Sequence, residues 1–205
     1  MHFNHSKTAH NNVYFNPYLA FADMLTDIIC LTKPTELTMA KPDDSNIIAP
    51  DFKHGKNFKI GHHCIIQEGC EVGDDVTIEH FVLLKKGTKI GSNVYVDSYV
   101  KSSGSNRIGS NVTLRFNSTI AREVTVGDDV FISPNVMTIY STHEGEKKGG
   151  TDIGDGAFIG TNAVLGPRVK IGKHTVVGAM SYVIKDCEDN AIYVGIPAKK
   201  VKDRE

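Results

Sequence analysis

Tryptophan is absent from this chain, and no run approaches the ~18 consecutive apolar residues that a membrane span requires. The pattern therefore predicts no membrane insertion. The opening MHFNHSKTAHNN lacks the basic start and apolar stretch of a secretory signal, which predicts a cytoplasmic protein. Charge of one sign is lacking too: 23 Lys and Arg face 24 Asp and Glu, for a net charge of −1. That balance argues against nucleic acid or an anionic membrane surface as partner. The four cysteines, Cys30, Cys64, Cys70 and Cys187, form no CxxC pair, and in the cytoplasm they should stay reduced.

What is present is repetition. The 205 residues include 19 glycines and suit one domain of repetitive β structure. Six-residue steps from Ile60 pass through Ile66, Val72, Ile78, Leu84, Ile90, Val96, Ser102, Ile108, Leu114, Ile120, Val126, Ile132 and Thr138. A second phase runs Ile153, Ile159, Leu165, Ile171, Val177, Val183; of the 20 positions, 18 are aliphatic. Four residues after each comes a small or β-branched side chain, such as Val76, Val94, Val112, Ala157 and Ala163. This describes short strands with an aliphatic residue inward, joined by tight corners. Cys64, Cys70 and Cys187 occupy the small position and read as packing residues.

Gly73, Gly91, Gly109 and Gly127 recur every three hexads, so each coil should have three faces and stack its glycines. A positive φ at those corners is the expected reason for glycine. Six to seven coils from residue 58 to 202 would form a prism roughly 30 Å long at a strand spacing of ~4.8 Å. Before it, residues 1–57 should hold one amphipathic helix, over 16–33 with Cys30 in it, and a connecting loop. The phase breaks once. The step from Ile132 to Ile153 is not a whole number of hexads, so the segment 139–152 (IYSTHEGEKKGGTD) must leave the prism. A regular prism offers no concavity, so an ejected loop is where chemistry is expected. Of nine histidines, only His143 lies in it.

These repeats resemble the hexapeptide-repeat acyltransferase superfamily, whose fold is a left-handed parallel β-helix; handedness comes from the resemblance and not from the spacing. The run Val126 to His143, VGDDVFISPNVMTIYSTH, is similar to the galactoside and maltose acetyltransferase branch, where an IGDxVxIxPNV segment precedes the catalytic histidine. The resemblance implies acetyl-CoA as co-substrate, no metal, a small sugar-type acceptor and a homotrimer with sites between subunits. It makes His143 the general base, a task suited to imidazole, with Glu144 placed to orient it. The cofactor would lie along the last coils, at Gly160, Thr161, Gly178 and Ala179, with Lys185, Pro197 and Lys199 nearby. Arg115, Asn117 and Asn135 are the acceptor-side candidates.

Two departures bear on the acceptor. The loop after His143 is shorter than in galactoside acetyltransferases, and LRFNST around Arg115 and Asn117 does not reproduce that branch's substrate asparagine. Both leave room for an amino sugar or nucleotide-sugar. O- and N-acetylation stay open. Two rival readings use the same prism. His62 and His80, one coil apart, hint at a γ-class carbonic anhydrase, although no further histidine completes that spacing. A non-catalytic scaffold would need no ejected loop.

Overall fold

The computed structural model describes residues 45–142, 145 and 149–204. Met1–Thr38 and Met39–Glu205 separate as two units, and every described residue belongs to the second. The predicted helix over 16–33, Cys30, His143 and Glu144 lie outside the described residues. No helix among the described residues is long and apolar enough to cross a membrane.

Each hexad supplies a two-residue strand and a four-residue corner. In Lys59–Ile60, Ile65–Ile66 and Glu71–Val72 the second residue is buried and the first faces outward. Three strands complete a coil, and the next strand settles in parallel on the first: Ile47 pairs with Ile65 and Ile48 with Ile66. Two-residue strands are too short to persist alone. Stacking saves them, because each corner and strand donates to the coil beside it, as Ile65 N–H does to Val82 O at 2.9 Å.

The result is a parallel β-solenoid with three faces. The first, starting at Ile47–Ile48, has eight strands; the second, starting at Lys53–His54, has seven; the third, starting at Lys59–Ile60, has nine. Eight levels make the first face roughly 34 Å tall at ~4.8 Å per level. The inward column and the small corner residues form one core, each fully buried Ile, Leu or Val contributing about 1.5–3 kcal/mol. Cys64, Cys70 and Cys187 are buried in it as free thiols. Burial pushes all three thiols up, Cys187 to about 12.

Two expectations need correction. The solenoid begins at Ile47 and not at 58, so it has more levels than expected. The first coil hides from the pattern because His54 holds an aliphatic position, while Phe52 and Phe58 stand where small residues recur. Their rings pack together at 5.4 Å. Next, Gly73, Gly91, Gly109 and Gly127 do not have positive φ. Backbone crowding is what requires them: a Cβ on Gly91 would sit 2.6 Å from Ser110 Oγ and 2.7 Å from Gly109 O. The left-handed residue is the one two positions later, Asp75, Asn93, Asn111 and Asp129, and the corner between the third and first faces has its own in Phe81, Tyr99, Asn117, Asn135 and Met180, all at φ between 56° and 63°. Bulky side chains resist that region, yet each backbone N–H there gains a partner, as Tyr99 N–H donates to His80 O at 3.0 Å. At the C-terminus the repeat changes form. The last coil shortens, pairing Val176 with Ile192, and Ala191–Gly195 folds against Ala198–Asp203 as an antiparallel hairpin.

Candidate functional site

The three corners differ. At the corner between the second and third faces, a side-chain oxygen from one coil caps the free N–H of the coil below. Lys56 N–H donates to Asp74 Oδ1 at 2.7 Å, Asp74 N–H to Ser92 Oγ at 3.0 Å and Ser110 N–H to Asp128 Oδ1 at 2.7 Å. Beside this column, Asn93 donates to Asn111 and Asn111 to Asp129. Every small polar residue named here has a structural task.

The corner between the third and first faces gathers most of the predicted site. Arg115 and Asn117 lie on one level, Asn135 on the next, Gly160 and Thr161 on the third, Gly178 and Ala179 on the fourth; the register steps Leu114, Ile132, Ile159, Val177 set this order. Arg115 Nε is 3.1 Å from Asp97 Oδ2. Beside this pair, burial first, and then Glu79 and Asp97, push the Tyr95 phenol up to about 12, so it stays protonated. Asn117 donates to Asn135 Oδ1 at 3.0 Å and accepts from Lys101 Nζ at 2.9 Å. A Cβ on Gly160 would meet Ala179 N at 2.5 Å, so that glycine serves the stacking. Ala179 is exposed and Thr161 half-buried. The backbone N–H groups of both have no acceptor among the described residues, unlike those of Lys56, Asp74 and Ser110 at the previous corner. The hairpin carrying Pro197 and Lys199 starts beside them, with Gly178 N–H donating to Tyr193 O at 2.8 Å. Lys200 is held by Glu188 and Asp203, whereas Lys185 and Lys199 have no ion-pair partner among the described residues.

The corner between the first and second faces is the irregular one. Strands elsewhere pair after three hexads, as Arg107 does with Thr125. Thr125 pairs instead with Asp152, so nine residues are inserted between Met137–Thr138 and Asp152–Ile153. Lys185 lies on this corner as well. Beneath it the core turns polar. Thr88 and Ser102 share a hydrogen bond, Ser102 donates to Asn106, and Asn106 donates to Ala121 O. Thr138 Oγ1 accepts from Ala121 N–H at 2.6 Å. The polar stretch Ser102 to Asn106 is visible in the sequence; its continuation through Thr88 and Thr138 is not, because their spacing carries no signal without the register. His62 and His80 do stack, rings 5.3 Å apart and 6° from parallel, and His80 Nδ1 accepts from His62 N–H at 2.9 Å. Among the described residues no three His, Cys, Asp or Glu side chains gather where an ion could sit.

Residues 43–144 match the family described as GMPPB C-terminal domain, and residues 150–185 match bacterial transferase hexapeptide (six repeats). The chain belongs to the hexapeptide-repeat superfamily. This hexapeptide-repeat protein is 37% identical over 99 residues to galactoside O-acetyltransferase of Escherichia coli (strain K12), covering 43% of this chain and 49% of that one. It is 38% identical over 85 residues to the bifunctional protein GlmU of Fervidobacterium nodosum, covering 42% and 18%. The chain thus spans half or less of the length of these curated relatives. Its fold is similar to that of AntD, an N-acyltransferase from Bacillus cereus solved with dTDP-4-amino-4,6-dideoxyglucose and Coenzyme A. The TM-score is 0.54 at 21% identity, covering 75% of this chain and 83% of that one.

Proposed function

We propose that this hexapeptide-repeat protein is an acetyl-CoA-dependent acetyltransferase whose acceptor is a sugar, an amino sugar or a nucleotide-sugar. One observation carries the reading: two backbone donors, at Thr161 and Ala179, stand open on adjoining levels of one corner, whereas most of their counterparts at the corner between the second and third faces are capped from within. Donors repeated along the solenoid axis suit the amide carbonyls of a rod-like pantetheine arm, and a small side chain at Ala179 leaves its path open. Lys185 and Lys199 would face the phosphates, with Pro197 beside the arm. Acetyl-CoA supplies the activated acyl carbon and leaves as a thiol.

His143 is the proposed general base, in the sequence inserted between Thr138 and Asp152. It takes the proton from the acceptor hydroxyl or amine as that atom adds to the thioester carbonyl, and returns the proton to the departing sulfur. Glu144 is its proposed orienting partner. Arg115, Asn117 and Asn135 are proposed to line the acceptor side, below the cofactor levels on the same corner. The inserted segment and the Thr161 corner are different corners of the prism, which supports a homotrimer closing each site between subunits.

Calorimetric titration with acetyl-CoA and with CoA tests this directly. Micromolar binding is the expected result; a folded protein that takes up neither would end the acyltransferase reading.

A further inference from the structure

At the corner between the first and second faces, one column runs Lys86, Gly104, Arg122, each one coil from the next. The middle member has no side chain. A recess of about 140 Å³ results, lined by Gln67, Lys85, Lys86, Ser103, Gly104, Ser105 and Arg122. It is a built feature. Gly104 is buried at φ 100°, and a Cβ there would approach Lys86 O to 2.9 Å. Its N–H donates to Ser102 Oγ, so the buried Thr88–Ser102–Asn106 chain holds the floor of the recess in place. At this level the inward aliphatic is replaced by serine and the small corner residue by asparagine.

The rim is cationic. Lys85, Lys86 and Arg122 are exposed, and none has an ion-pair partner among the described residues. Beside the recess on this corner stand the carboxylates Glu68, one level below Lys86, and Glu123, which accepts from Tyr140 Oη at 3.2 Å; further along the same corner, Asp51 accepts from Gly69 N–H and Asp186 from Lys170 N–H. The backbone N–H of Arg122 also lacks an acceptor among the described residues. Two lysines, a guanidinium and a backbone donor around a notch without a side chain match the charge and geometry of a phosphate or diphosphate. Tyr140, where the inserted segment begins, stands one level above Arg122, and the proposed cofactor levels lie above that segment.

We infer that the Gly104 recess, between Lys86 and Arg122, binds a phosphate group of the acceptor, making the acceptor a phosphorylated or nucleotide-activated sugar. Naming the acceptor as the source rests on the acetyltransferase reading; the anion site itself does not. Phosphate could also come from CoA, and the test separates the two sources.

The 205-residue protein and its Lys86→Ala, Arg122→Gln and Arg107→Gln variants are titrated with pyrophosphate, with uridine 5′-diphosphate and with CoA. Arg107 is an exposed cation of the second face and controls for net charge. Wild type and Arg107→Gln should bind pyrophosphate and the nucleotide alike. Loss of Lys86 or Arg122 should weaken both about 10-fold, the size of one charge-assisted contact, and leave CoA affinity unchanged. All four proteins should melt at similar temperatures, because the altered side chains are exposed. Absence of pyrophosphate binding up to about 1 mM, or variants that bind like wild type, would overturn the site. A parallel fall in CoA affinity would overturn its assignment to the acceptor. Failure of CoA to bind wild type, with pyrophosphate still bound, would remove the acetyltransferase reading and leave the anion site standing.

Discussion

The corner between the second and third faces and the corner between the first and second faces are built from the same hexads, yet they behave as opposites. The former repeats one solution seven times, from Gly55 to Gly172, with a side-chain cap or an amide ladder over much of its length. The latter admits a polar core, a missing side chain at Gly104, three rim cations without an ion-pair partner among the described residues, and a nine-residue insertion. Where the backbone satisfies itself there is nothing left to offer a ligand. Where it departs from the repeat, donors, charge and room appear together.

Four substitutions would break or sharpen this contrast. The largest effect is expected from His143→Ala in the insertion, which should lower kcat by a factor of about 10²–10⁴ without changing the denaturation midpoint. Turnover near wild type would remove His143 from the mechanism. Next comes Gly109→Val on the regular corner, where a Cβ would lie 2.4 Å from Asp128 Oδ1 and 2.6 Å from Gly127 O. We expect a loss near ~3 kcal/mol in urea unfolding, the upper end for overpacking, with kcat per folded molecule retained. A tolerated valine would show that the glycine column does not hold the stack.

Asn106→Val puts the residue typical of other coils into the irregular one. Matching the repeat would suggest a gain in stability. Because it strands Ala121 O in the core and removes the Asn106 acceptor of Ser102 Oγ, we expect destabilisation by about 1–3 kcal/mol, and a more stable variant would refute the polar chain as a structural element. The smallest effect is electrostatic. The Lys173 ammonium, 2.9 Å from Asp155, holds its carboxyl below the ordinary aspartate value, helped by the N–H of Asp128. Since the folded-state pKa is depressed, the stabilisation is complete above the ordinary aspartate range and fades as pH falls through the folded value. Asp155→Asn should therefore lower Tm slightly at neutral pH and not at all in strong acid. The difference should shrink with salt, because the pair is exposed.

Legibility followed the same divide. The regular parts are open to inspection because the hexad and the three-hexad coil are visible in Ile60, Ile66, Val72 and their successors. The first coil escapes notice because His54, Phe52 and Phe58 break that pattern, two phenyl rings packing on each other where small residues recur. The glycine column is found for the wrong reason: spacing shows that a position recurs, whereas only the backbone shows whether φ or contact requires it. On the site, stacking of Thr161 with Ala179 and of Asn117 with Asn135 is readable from multiples of the coil. The Gly104 recess is not, since a glycine midway between two basic residues has no meaning until three coils are superposed.

The sequence by itself determined the period, the three-faced coil, the inward column and the place where the repeat fails, because burial imposes one residue class at each fixed interval. Handedness it left to family resemblance. Only the tertiary structure decided which corner each hexad turns, which backbone donors are capped and which are left open, and which cations share a rim. Those properties depend on what lies one coil above and one coil below, and a linear chain does not display its neighbours across a full turn of the solenoid.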